Sequence, residues 1–128
     1  MLRNILWISA GASIGAVSRW LLGLAFNAAV PLLPLGTLLA NLAGGYIMGI
    51  MLGVVAFCPQ FPPAAKLFII TGFLGALTTF SSFSGEVVLL LQERHILAAT
   101  ALVALHVLGS LAMTGLGVVT AMLVSRLG

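Results

Sequence analysis

From Leu35 to Phe57, and again from Ile96 to Val124, the chain carries no Lys, Arg, Asp or Glu. Each run is long enough to cross a bilayer as a helix, which takes about 20 mostly apolar residues. The composition points to the same solvent: of the 128 residues 62% are hydrophobic and 5% charged, and the mean hydropathy is +1.28. A water-soluble domain carries roughly a quarter charged residues. Here Arg3, Arg19, Lys66, Arg94, Arg126, Glu86 and Glu93 are the whole supply. The surface of such a chain is made for lipid, and the fold class it predicts is an all-α membrane protein.

Interruptions divide the sequence into four transmembrane helices, at about 4–29, 34–57, 66–92 and 96–124, in a single domain covering 1–128. Pro31 and Pro34 bracket the first turn and Pro59, Pro62 and Pro63 mark the second, because proline lacks the N–H that a continuing helix needs. Gln92, Glu93, Arg94 and His95 mark the third. The apolar run after Arg3 extends to about Val30, longer than a signal-peptide core, so it reads as a span. Cys58 is alone, which leaves no intrachain disulfide and no cysteine metal cage. The formal charge of +3 rests on scattered groups and forms no basic face for nucleic acid.

Four spans put the N-terminus, the second loop and the C-terminus on one side, with Arg3, Lys66 and Arg126; Arg19 and Arg94 lie toward the other. The Lys and Arg bias sets orientation, and a near tie predicts insertion both ways up. Two oppositely inserted copies can pair about a two-fold axis in the membrane plane, two-fold pairing being the commonest oligomer form. The alternative is one orientation with other determinants. Gly45, Gly49 and Gly53 recur every four residues, as do Gly11 and Gly15. Such rows let membrane helices approach closely, either within one four-helix unit or at a dimer seam.

The middle of the third span falls at Thr79, inside the stretch GALTTFSSFS, residues 75–84. Thr78, Thr79, Ser81, Ser82 and Ser84 follow Gly72 and Gly75. Ser and Thr can bond back to their own helix carbonyls, which accounts for some of them. Five together predict a helix broken at the midplane, which is tolerated where backbone is buried in protein or lines an ion site. Carbonyls freed in two antiparallel copies would then cage one cation on the axis. In the fourth span His106, Ser110 and Thr114 fall at i, i+4 and i+8, and in the second Thr37 and Asn41 have the same spacing, so each set makes a stripe on one helix face. Polar stripes turn inward from lipid, either as interhelical glue or as a permeation track. Hydroxyls, one amide and the rings of Phe80 and Phe83 offer no ring of carboxylates for a cation pore. Donors, together with the positive edges of aromatic rings, suit a small anion; the ordinary alternative for the two phenylalanines is apolar filling. Arg19 either snorkels or bonds carbonyls and helps to fix a dimer. Glu86 follows Phe83 by three residues, at the mouth of any such pore. Trp7, Trp20 and Tyr46 read as interface anchors or packing.

Taken together, GASIGAVSRW with Arg19, GTLLANLAGGYIMG with Asn41 and GFLGALTTFSSFSGE resemble the bacterial CrcB/Fluc fluoride channels, close to the small homodimeric members, over nearly the whole chain. The resemblance implies a dual-topology antiparallel homodimer in the bacterial plasma (inner) membrane, multi-pass, with two pores that export fluoride passively from the cytoplasm. It implies that Phe80 and Phe83 form the family's phenylalanine box and that Asn41 is its amide donor to fluoride. Ser81, Ser110 and Thr114 match its polar track, with His106 at the more variable outer end. The backbone carbonyls of Gly75 and Thr78 match a central sodium site, a structural ion that is not transported. Glu86 matches a family acid near the pore. Ser82 stands where similar members commonly have Thr, which keeps the hydroxyl and removes a methyl. Two rival readings are a small multidrug-type proton-coupled exporter and a non-transporting membrane scaffold. The first would use a carboxylate in its first helix, and residues 4–29 contain none. Two acids and two histidines with no convergent pair among them offer little for an enzyme.

Overall fold

A helix inside hydrocarbon must satisfy every backbone polar group within itself, and the chain meets that requirement with four long helices. The computed structural model describes residues 1–127. Helix α1 runs Leu2–Phe26, α2 Leu35–Phe57, α3 Pro63–Gln92 and α4 Ile96–Leu127, each apolar and long enough to cross a membrane. The one β-like contact among the described residues is an isolated bridge between Val30 and Leu33.

The observed ends differ from the sequence reading in ways the local chemistry explains. Helix α1 stops at Phe26 instead of continuing to 29, since the chain must reverse through Pro31 and Leu32, the latter at φ 66°. Asn27 then reaches forward, its Oδ1 accepting the Thr37 N–H at 3.1 Å in the first turn of α2, where helical N–H groups have no partner of their own. Helix α3 begins at Pro63, earlier than expected, because proline is well suited to the first turn, where its missing N–H would go unpaired in any case. Lys66 therefore belongs to the helix and not to the loop.

Two parallel pairs build the bundle. Helix α1 lies along the first half of α3, and α2 lies along α4 in the most extensive seam of the molecule. Both glycine rows are used inside the protomer. A Cβ on Gly11 or Gly15 would collide with the carbonyl oxygens of Phe68 and Phe73; one on Gly49 would collide with the Thr114 carbonyl, and one on Gly53 with the side chain of Ala121. Small residues here let backbone meet backbone.

Helix α3 is the irregular element. From Leu67 to Leu74 it widens into a π-helix, a form found mostly as single wide turns near functional sites. Nothing in the sequence announces it. It then breaks, as the hydroxyl cluster predicts: Thr78 (φ −80°, ψ 153°) and Thr79 (φ −150°, ψ 124°) are extended, and a second helical half, Phe80–Gln92, starts afresh. Thr79 caps that half, its hydroxyl accepting the Ser82 N–H at 3.1 Å.

Candidate functional site

A break in a helix releases carbonyls that would have met N–H groups four residues on. Here the Thr79 N–H turns away from Gly75 and donates to Asn41 Oδ1 at 2.8 Å, while Asn41 Nδ2 donates to the Thr79 carbonyl at 2.9 Å. One carboxamide from α2 thus holds both backbone groups of the extended residue. The freed Ala76 carbonyl accepts the Arg19 Nε–H at 2.9 Å, and the same guanidinium reaches Ser82 Oγ at 3.5 Å. Of the two readings of Arg19, the carbonyl contact is the one observed. Its charge therefore stands at the break. The carbonyls of Gly75 and Thr78 receive no hydrogen bond across the break from the described residues.

Around this break the expected pathway residues converge in part. A cavity of about 380 Å³ is lined by Asn41, Thr79, Phe80, Phe83, His106 and Ser110. It borders a second, of about 270 Å³, which shares Asn41, Thr78 and Ser110 and adds Gly75 and Thr114. Phe80 and Phe83 meet edge to face, their centroids 5.5 Å apart, the arrangement favoured by the ring quadrupole. They differ sharply in environment: Phe83 is 6% exposed and Phe80 77%. Phe83 also stacks on the His106 imidazole at 4.4 Å. His106 is buried and shares a 2.9 Å contact, through Nδ1, with Asn41 Nδ2.

The hydroxyls divide by use. Thr78 bonds back to the Leu74 carbonyl and Thr114 to the Ser110 carbonyl, as isolated helical threonines do. Ser81 is exposed and lies 3.3 Å from Thr79 Oγ1. Glu86 is not on the inner cavity; it lines a third, of about 550 Å³, with Arg19, Asn27, Thr37 and Ser82. Thr37, expected on the Asn41 stripe, is buried and donates its hydroxyl to Glu86 Oε1. The Glu86–Thr37 link, the Asn41–Thr79 clamp and the Phe83–His106 stack join residues far apart in sequence. A one-dimensional reading had no signal for those pairings beyond the unusual depth of each polar residue.

A profile of the CrcB-like family, described as camphor resistance (CrcB) proteins, matches residues 6–118. The chain belongs to the CrcB family. Its CrcB-family relatives include a protein of Tolumonas auensis, 57% identical over 98% of this chain and 99% of its own length, named fluoride-specific ion channel FluC. Proteins of the same name from Pseudomonas syringae pv. maculicola and Pseudomonas putida are 51% and 52% identical, each over 94% of both chains. The family match over residues 6–118 includes every residue of the two inner cavities.

Proposed function

We propose that this chain forms a fluoride-selective passive channel that exports fluoride from the bacterial cytoplasm across the inner membrane, not an enzyme. The reading is carried by one observation: a hollow at the break in α3 lined by an aromatic pair, hydroxyls, an amide and an imidazole, with no acid on it. Such a surface solvates a small anion by hydrogen bonds and ring edges without the fixed charge that would hold it. The names of the relatives support fluoride as that anion. In this reading Phe80 and Phe83 flank the ion, and Ser81, Asn41, His106, Ser110 and Thr114 line its way. Arg19 makes the approach electropositive, and Glu86 stands in the same outer vestibule.

The active form is an antiparallel dimer with two pores. Support comes from what one copy leaves open. Phe80, Ser81 and Gly75 are all exposed at mid-span, where polar backbone facing lipid is costly. A second copy inserted the other way up brings the same level of its own α3 against this one and covers them. The carbonyls of Gly75 and Thr78, left without helical donors, are hard oxygen ligands of the kind a hard cation takes. No cluster of His, Cys, Asp or Glu suited to a transition metal exists among the described residues. Those carbonyls would hold a sodium ion, whose charge would offset two sets of converging dipoles; it is structural and not carried.

The deciding experiment loads proteoliposomes with potassium fluoride and follows release with an electrode. Efflux that needs a potassium shunt but no proton gradient is expected. Efflux driven only by a proton gradient supports an exchanger, and silence from well-folded protein removes the channel reading.

A further inference from the structure

The contact between Asn41 and His106 decides which ring nitrogen of His106 carries the proton. Asn41 pairs with Thr79 at both ends of its amide, Oδ1 with an N–H and Nδ2 with a carbonyl. A backbone N–H only donates and a carbonyl only accepts, so the amide cannot be turned round. Nδ2 therefore faces His106 Nδ1 as a donor, 2.9 Å away. Nδ1 must be the bare nitrogen, and the proton of the neutral ring lies on Nε2. That Nε2 is buried and has no hydrogen-bond partner; it is the only buried side-chain nitrogen left so among the described residues. Native proteins rarely keep a buried donor without an acceptor, and this one is in a ring 4% exposed, stacked on Phe83 and lining the inner cavity.

We propose that Asn41 is a positioning residue that holds His106 as the Nε2–H tautomer, and that this N–H is a donor to the anion beside Phe83. The proposal rests on the anion-path reading above and departs from it in one assignment. Both Asn41 N–H groups are engaged, one by Thr79 and one by His106, so the amide orders the site while the imidazole supplies the donor. A neutral donor is also the useful kind. An imidazolium would turn a proton on Nδ1 against the Asn41 N–H, and a full positive charge would bind the ion too well to release it, whereas conduction needs binding weak enough to let go.

The first test is 15N NMR of histidine-labelled protein in bilayers, in a His95→Gln background that leaves one histidine. A bare Nδ1 and protonated Nε2 are expected. In Asn41→Asp, which has no N–H to offer, the proton should appear on Nδ1. Wild-type protein with the Nδ1–H tautomer overturns the proposal. The second test is fluoride efflux from potassium fluoride liposomes, with dimer content checked by size exclusion. His106→Gln can place an amide N–H where Nε2 was and should retain flux within roughly threefold, whereas His106→Asn reaches only the Nδ1 position and should lose roughly tenfold or more, as for one hydrogen bond to a charged group. Equal flux from the two, or a faster His106→Asn, overturns the donor role. A wild-type protein that releases no fluoride removes the channel reading instead, and the tautomer measurement still accepts or rejects the part given to Asn41.

Discussion

Gly49→Ala is expected to part α2 from α4 and to weaken both fold and flux. A Cβ there would overlap the Thr114 carbonyl oxygen and lie 2.9 Å from Gly117 Cα, both of them backbone atoms of the facing helix. A carbon and a carbonyl oxygen settle at about 3.3 Å or more, so the helices must separate by roughly 1 Å, a gap that forfeits about a quarter to a half of the dispersion between facing atoms. Overpacking of a filled interior costs about 1–3 kcal/mol, and the upper end applies because no side chain can swing aside. Alanine returns about 1 kcal/mol of helix propensity, leaving a net loss near 2 kcal/mol, or roughly thirtyfold in the folded ratio. The same two helices hold Asn41 against His106 at 2.9 Å. Asn41 lies roughly 12 Å along α2 from Gly49, so even partial opening there takes the contact out of hydrogen-bonding range. Reversible unfolding in bicelles and fluoride efflux measure the two effects. Gly115→Ala, whose Cβ meets nothing within 4 Å in the protomer, is the comparison and should lose no stability. If Gly49→Ala unfolds within about 0.5 kcal/mol of wild type and conducts normally, the backbone seam is not what holds these helices.

Arg19→Met removes the donor to the Ala76 carbonyl, and a lost hydrogen bond from a charged group is worth about 1.5–3 kcal/mol; unfolding unchanged from wild type would place the guanidinium at the interface instead. Phe80→Ile is expected to slow efflux without altering protomer unfolding, since that ring is exposed in one copy, whereas Phe83→Ile loses the His106 stack, about 1 kcal/mol, and should lower both. Equal effects on unfolding would contradict the asymmetry. Among the described residues, Thr37→Val takes away the only side chain bonded to Glu86, whose Oε2 is already buried without a partner there. A loss of about 1–3 kcal/mol is expected, with Thr37→Ser near wild type; a neutral valine would mean that the link bears no weight in the folded protein.

The four spans were legible because their signal is length and apolar composition, which the bilayer enforces along the sequence itself. The break was legible too, since Gly72, Gly75 and a hydroxyl cluster sit where a continuous helix has no use for them. What the sequence could not supply was pairing. Asn41 reads as one member of a polar stripe until it is seen against Thr79, 38 positions away. Arg19 could snorkel or bond carbonyls by its sequence, and only the break shows which carbonyl it meets. Gly45, Gly49 and Gly53 fit a dimer seam or an internal one equally well, and the Thr114 carbonyl and Ala121 decide the matter for Gly49 and Gly53. The wide turn from Leu67 to Leu74 has no compositional marker at all. Its Phe68 and Phe73 carbonyls lie against Gly11 and Gly15 of α1, a contact visible only once the two helices are paired.

The extended pair Thr78 and Thr79 also bears on how the protein comes to be made. The Ala76 carbonyl freed by that break meets Arg19 of α1, and both backbone groups of Thr79 meet Asn41 of α2, both synthesised earlier. Alone in lipid, the third segment would satisfy more of its amides as an unbroken rod. The break is therefore held by contacts with two helices that precede it in the chain, and its full set of partners exists only once those helices are in place. Biogenesis of this chain should thus be sensitive to the order in which its segments arrive.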